Sequence, residues 1–485
     1  MLTSWKLLCC LVCCCFLFPG TSRSAEDVGA GPWFHQFRLT LEPGERTEAF
    51  GPFFYSEERE TFRQWAIPPL FSSTKDAATD YAGFDFLYPV LTYDRFGSEK
   101  RFQFLQVFSF SSNENQAATN SHRFTLFPLY FQQRSDDPAK NYTAFVPFYG
   151  NLQQRLFRDE IRFVMFPLYL KTRKKDVVTD NYLWPIFHLR HGDNLQGWQF
   201  WPLVGHEHKD ITTKTNNWGD TEFIGGHDKS FWLWPIFLNQ KTGIGTTNQE
   251  QQQAVLPFYS LQRSPLRDST TAPWPLGFTY TDDREKKYRE WGAPWPFIVF
   301  ARGEGKTANR VWPIFGQMHN QTLESDFYLW PLYKHNSVHS EPLDRERTRI
   351  LFFLYSDLLE KNTASGAARK RRDLWPLFTY RQDFNGNERL QLLAPLEPLV
   401  RSSQSIERNY SPLWSIWRSE KNPSSQASSQ SLLWNLYRCD RAPGTKKCSL
   451  LFGLFQYQST PDARRMRLFF IPVSKKKTSS ESPTE

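Results

Sequence analysis

Methionine and cysteine are scarce, at four and seven in 485 residues. Five of the cysteines, Cys9, Cys10, Cys13, Cys14 and Cys15, crowd into the first fifteen positions. Long apolar runs are absent too: the longest is Leu7 to Phe18, 12 residues, too short for a transmembrane helix. Apolar positions do not recur at the helical period over ten or more residues, so a helical protein is excluded. No Gly-x-Ser-x-Gly elbow, phosphate loop, dinucleotide fingerprint or His-Glu-x-x-His motif occurs. Nothing therefore points to a nucleophile, a nucleotide or a zinc-bound water. Aromatic residues are not scarce: they make up 16% of the chain, with 18 Trp and 43 Phe, and that excludes intrinsic disorder of the main body.

Lys6, the run Leu7–Phe18, the breakers Pro19 and Gly20 and the small residues Ser22 and Ser24 read as a secretory signal over residues 1–24. Export would leave the main chain with only Cys439 and Cys448, separated by a turn-forming segment around Pro443-Gly444. Two strands joined there would set the thiols opposite each other. An oxidising compartment would then permit a disulfide; otherwise they stay as neighbouring thiols.

The dominant feature is a repeat. Asn181 to Arg190 reads Asn-Tyr-Leu-Trp-Pro-Ile-Phe-His-Leu-Arg, and the Trp-Pro centre returns at Trp201-Pro202, Trp234-Pro235, Trp274-Pro275, Trp295-Pro296, Trp312-Pro313, Trp330-Pro331 and Trp375-Pro376. Looser copies lie at Tyr88-Pro89, Phe127-Pro128, Val146-Pro147, Phe166-Pro167 and Leu256-Pro257. The step is about 17 to 22 residues, with about 22 units in all. Each apolar core is 5 to 8 residues long with polar flanks, the length and composition of a strand. Only Asp344 to Lys361 offers a weak helical pattern. The expectation is an all-β repeat domain over 25–474, followed by a polar tail at 475–485. About 20–22 short, mostly antiparallel strands would form one repetitive closed array, propeller-like or multi-sheet.

The alternative is an outer-membrane β-barrel, whose strand density and aromatic girdles would fit. Four readings oppose it. Cores such as Ile161–Leu170 look apolar on both faces. Proline would sit at strand centres, starving the ladder of donors at lipid depth. Long loops follow odd and even cores alike. The chain ends in Lys475–Glu485 rather than in an aromatic strand. The repeated Leu-Trp-Pro-Ile/Leu-Phe/Tyr core behind a signal peptide resembles a group of uncharacterised bacterial exported proteins with tandem aromatic-proline strands, over about residues 50–473. That resemblance implies a bacterial cell-envelope location, in the periplasm or at the outer membrane or cell surface. It supplies no activity and no site residues.

Candidate chemistry is sparse. His188, His191, His206, His208 and His227 lie close in sequence near Asp193, Glu207 and Asp228, but in no recognised ligand spacing. Asp282-Asp283 could be paired carboxylates, though every long loop offers such pairs. Trp and Tyr at core edges serve core packing before glycan stacking. The sequence thus predicts no catalytic, cofactor or metal residue, no enzyme, and a structural or ligand-binding envelope protein, with a membrane channel or assembly factor as the alternative. The net charge of +9, with clusters at Lys171–Lys175, Arg369–Arg372 and Lys475–Lys477, points to anionic envelope lipid or glycan as partner. Export argues against nucleic acid. Strand signal should dominate helix several-fold in far-UV circular dichroism, and a helix-dominated spectrum would overturn this reading.

Overall fold

The computed structural model describes residues 33–473, apart from 115–119, 216–218, 220, 402, 462 and 470. The expected signal segment and polar tail lie outside these residues. The described chain is all-β: 45 strands, of which 43 belong to one sheet. Nearly every strand pairs antiparallel with the strands before and after it in sequence. The one excursion is the hairpin Thr212–Thr215 with Thr221–Ile224, which loops out so that Val204–Lys209 pairs directly with Gly226–Trp232.

Each repeat contributes two strands, not one, which doubles the expected strand number. The reason is where the Trp-Pro core sits. Leu183-Trp184-Pro185-Ile186 is the turn between the strands Val177–Tyr182 and Phe187–Gly192, and its X-Pro bond is cis, as in a type VI turn. The same holds at Pro202, Pro235, Pro313 and Pro331. The expected strand-centre prolines are therefore turn prolines, and they take no donor from the ladder. Ile161–Leu170 seemed apolar on both faces because Met165–Leu168 is a turn between Arg158–Val164 and Tyr169–Lys174. Asp344–Lys361 is a strand pair, Leu343–Ile350 with Tyr355–Asn362, not a helix. Among the described residues the α-helices are α1 (Gln404–Asn409), capped by Ser403, and α2 (Ser411–Trp414).

Turns alternate in kind. Along one edge of the sheet, here the rim, every connection is free of charged residues except the long segment 393–416. Along the other edge they are polar, such as Lys175-Asp176 and Asp193-Asn194. At the latter both residues have positive φ, 53° and 54°, the type I′ geometry that Asp and Asn tolerate. All the long polar connections fall on that edge, so the expected mixture of odd and even positions does not occur.

Among the described residues no ladder joins Phe34–Arg38 to Ile471–Pro472. The two ends of the sheet meet instead through side chains. Arg408 of α1 pairs with Asp85 at 2.8 Å and donates to Thr74 at 2.8 Å. Asn409 donates to Asp85 at 2.9 Å, and Tyr55 donates to the Arg408 carbonyl at 3.0 Å. The Arg438 guanidinium lies 3.3 Å from the Phe37 ring centre. Around these contacts runs a buried ionic network: Arg46 with Glu48 and Glu57, and Glu420 with Arg418 and Arg389.

Burial pushes the Glu420 carboxyl up, but Arg418 and Arg389 outweigh it and bring it down to about 2. Glu48 and Glu57 are lowered too, burial again being opposed, chiefly by Arg46. Carboxylates lowered from the usual 4.5 stabilise the fold fully above that value and lose the contribution as pH falls toward 2. Resistance to denaturant should therefore fall between pH 4.5 and 2. Glu420→Gln, which strands Arg418 and leaves Arg389 with Glu407 alone, should cost about 3–5 kcal/mol at neutral pH and flatten part of that slope. Urea melts at several pH values measure both, and a slope unchanged in the variant would show that Glu420 carries none of it.

Candidate functional site

In an antiparallel sheet, cross-strand partners point to the same face. The position next to the rim forms the row Tyr169, Tyr182, Phe187, Phe200, Val204, Trp232, and that row points to one face. The next position points to the other face and forms Leu170, Asn181, His188, Gln199, Gly205, Phe231. The second face is the more crowded one: Ala66, Ser72, Ala144, Gly205, Val299 and Asp373 are all buried there. It is therefore the concave face, and the aromatic row lies on the convex face.

A cavity of about 830 Å³ opens on the concave face between Glu99–Phe104 and Tyr169–Lys174. Its floor coincides with the buried apolar cluster of Tyr142, Ala144, Leu152, Ile161 and Phe163. Phe127, Val146 and Phe166 bring rim side chains into its wall. Four arginines complete it, Arg101, Arg123, Arg155 and Arg158, and the lining holds no Asp or Glu. Tyr142 holds Arg155 at 3.1 Å, and Gln133 holds Arg123 at 3.1 Å. An apolar floor under a cationic wall suits an amphipathic anion: the floor takes hydrocarbon, and guanidinium forks take phosphate or carboxylate.

The hairpin tip beside this cavity is unusual. Gln154 drops out of the ladder while the pairs on either side of it keep one register, and Gln154, Leu156 and Phe157 have φ of 50°, 53° and 59°. The same left-handed Leu-Phe pair recurs in the rim turns at Leu351-Phe352 and Leu451-Phe452; what sets this tip apart is its place on the polar edge. Phe157 is 97% exposed, an aromatic tip on an otherwise polar edge. Sequence reasoning missed this site. Leu156-Phe157 between the charged pairs of that edge was the one available signal.

The histidines do not assemble a centre. His206 and His208 share Asp228 at 3.7 and 3.6 Å on the convex face. His227 turns to Glu207 at 2.7 Å. His191 lies 4.0 Å from Asp180. His188 faces the concave side, where burial and then Arg190 lower it to about 4. Asp193 pairs instead with Lys209. No group of three or more His, Cys, Asp or Glu among the described residues is placed to hold a metal ion. Asp282 and Asp283 are neighbours on Phe278–Asp283 and point to opposite faces. Cys439 and Cys448 are direct cross-strand partners with sulfurs 2.12 Å apart. Of the basic clusters, Lys171 and Arg372 pair with Asp180 and Asp357, while Lys475–Lys477 lies outside the described residues.

Compared with known proteins, the chain matches no family model and no curated protein. The geometry of the cavity alone yields one stability test. A Cβ on Gly150 would lie 2.4 Å from the Phe163 ring and 2.6 Å from the Ala144 Cβ. Gly150→Val should therefore destabilise the fold by about 1–3 kcal/mol, read from denaturant melts. A neutral result would mean that the floor of the cavity can rearrange freely.

Proposed function

We propose that the protein is a non-catalytic envelope component that binds an anionic amphiphile, a lipid or lipid-linked glycan, on the concave face of its sheet. The observation that carries this reading is the cavity of about 830 Å³ with four arginines, no carboxylate and an apolar floor. Cavities of this size suit lipid-like ligands; Arg101 pairs with Glu99 at 3.2 Å, whereas among the described residues no carboxylate forms a salt bridge with Arg123, Arg155 or Arg158. The export signal read from residues 1–24 supports an envelope location, and an oxidising compartment there would suit the Cys439–Cys448 pair.

A channel is the second reading. What favours it is the meander of sequential antiparallel strands with short turns on one edge and longer connections on the other, the topology of outer-membrane barrels. Strand length speaks against it. Most strands have six residues, about 20 Å of height, whereas a spanning strand needs about 9–11 residues.

Binding can be tested by calorimetry with three probes: dodecyl phosphate below its micelle concentration, neutral dodecyl maltoside and inorganic phosphate. Dodecyl phosphate should bind more tightly than either of the others. Arg123→Ala with Arg158→Ala should weaken it about tenfold, the worth of charge-assisted contacts. Equal binding of the neutral detergent, or no effect of the double variant, would remove the cavity from the reading. Single-channel steps in planar bilayers would favour the channel instead.

A further inference from the structure

The rim is the most extended chemical feature of the molecule, and the cavity does not account for it. Apart from 393–416, none of its connections contains Asp, Glu, Lys, Arg or His, although 22% of the whole chain is charged. The adjacent convex row is likewise free of charge from Ala49 and Phe54 through to Phe455 and Leu468. Leu183, Leu233 and Leu329, first residues of three Trp-Pro turns, are 52%, 44% and 57% exposed. Trp184, Trp234, Trp312 and Trp330 are also exposed.

Rings of successive turns touch along the rim. Trp201 meets Trp234 at 5.9 Å, Trp312 meets Trp330 at 5.8 Å, and Trp330 meets Phe352 at 5.4 Å.

The backbone of these turns is prepared for a dry environment. Leu183 N–H donates to the Leu168 carbonyl, Trp184 N–H to that of Pro167, and Ile186 N–H to that of Leu183. Pro185 has no N–H. Every donor of the turn is thus used inside the protein. The turns at Leu233–Ile236 and Leu329–Leu332 repeat the pattern, donating to Leu203 and Pro202, and to Ile314 and Pro313. Turns normally leave donors to water; these leave none, which meets the donor half of what contact with hydrocarbon demands of a backbone.

We propose that this rim inserts into one leaflet of a lipid bilayer and seats the sheet edge-on, without crossing it. Three observations favour lipid over a protein partner. Depth is the first. A turn plus the first residue of strand gives about 7 Å of apolar height, within the depth of interfacial insertion; one position further in, the concave face already carries Arg310, Lys334 and Arg349. Beyond it, the third position on the convex face carries Arg162, Lys171 and Asp180, which would meet headgroups and water. Area is the second. About 20 connections, each exposing on the order of 200 Å², total several thousand Å², against about 800 Å² per partner in a standard protein interface. The third is composition: Trp and Tyr beside aliphatic residues make the interfacial belt of membrane proteins. This proposal does not depend on the ligand cavity.

The test uses the purified exported chain with phosphatidylcholine vesicles, with and without phosphatidylglycerol, in flotation. Binding should occur on both compositions and persist in about 0.5 M NaCl, where surface charge is screened. Tryptophan emission should be quenched by lipids labelled in the upper acyl region and not by lipids labelled at the chain ends. Trapped dye should stay inside the vesicles.

Leu183→Asp, Leu233→Asp and Leu329→Asp combined should reduce the bound fraction more than about tenfold, because each places a charge at the rim. All three positions have positive φ, where Asp is tolerated better than Leu, so the variant should fold. Ala78→Asp, Ser98→Asp and Gln321→Asp, on the opposite edge, carry the same added charge and should bind as the parent does.

Release by salt, dye leakage, or undiminished binding of the rim variant would each overturn the proposal. So would a dimer in sedimentation that the rim variant abolishes while the parent fails to float, since a second copy would then cover the rim. The quenching depth in the parent protein decides the matter even if the variant misfolds.

Discussion

Register is the constraint on which everything else rests. A hairpin repeat of constant length keeps each position of the repeat at a constant height on the sheet, because antiparallel partners share both height and face. One residue type chosen at one position therefore becomes a row running the length of the sheet. Strands about 4.8 Å apart make 43 of them about 200 Å from end to end. A repeat that places an aromatic before and after its turn builds a continuous aromatic row. A repeat that places Gly, Ala, Ser or Thr one position further in builds a row narrow enough for the sheet to curve toward that side. Gly205 and Gly316 show how close this approach is: a Cβ there would lie 2.2 and 2.1 Å from the rings of Phe231 and Phe327.

A single sheet has no second layer to cover it, so conventional burial can occur only where the sheet faces itself. That happens twice. Across the cavity wall, Phe163 and Ile161 are buried in an apolar cluster with Tyr142. Where the ends meet, the contacts are instead mostly charged and polar, with Arg46, Glu57, Asp85, Arg408 and Glu420 all buried. Ion pairs of this kind add little net stability over apolar packing, but they are intolerant of misalignment. An apolar seam could slide by one hairpin, since all hairpins look alike. Arg408 has Asp85 and Thr74 to satisfy it at one setting only. The segment 393–416 departs from the rim pattern for the same purpose: it folds inward, its Glu397 accepts from Gln391 and Trp414, and it presents α1 to the far end of the sheet.

The repeat, its period and the all-β class were legible in the sequence because they depend on composition at fixed intervals. The division of each repeat into strand and turn was not. Tyr182-Leu-Trp-Pro-Ile-Phe187 has strand composition throughout, and the usual turn residues are missing from it. Its proline was read as an interruption of a strand because apolar turns are uncommon in chains whose turns face water. The identity of the polar segments was also hidden: Thr172–Thr179 and Arg190–Gly197 are each six residues of strand around a two-residue turn. The cavity was beyond reach for a different reason. Arg101 and Arg158 stand in strands separated by several hairpins, and only the curvature of the sheet brings them to one wall. Asp85 and Arg408, 323 positions apart, could not have been paired from the sequence either.

Reassigning the Trp-Pro cores from strands to turns also changes what the aromatic residues say about a membrane. Apolar strand faces would have made the sheet amphipathic across its thickness, as in a barrel wall. The structure is amphipathic along its strands: apolar at the rim, mixed at mid-height and charged at the opposite edge. A barrel wall meets lipid with its face; a sheet of this kind meets it with its edge. Edge-on seating leaves both faces in water above the headgroups, which agrees with the polar concave face and with Arg162 and Lys171 on the convex one. It also puts the cavity where its ligand would be. Phe127, Val146 and Phe166 belong to the rim turns and to the cavity wall at once, so a lipid leaving the leaflet along that wall would keep its acyl chain on apolar side chains until its headgroup reached Arg123.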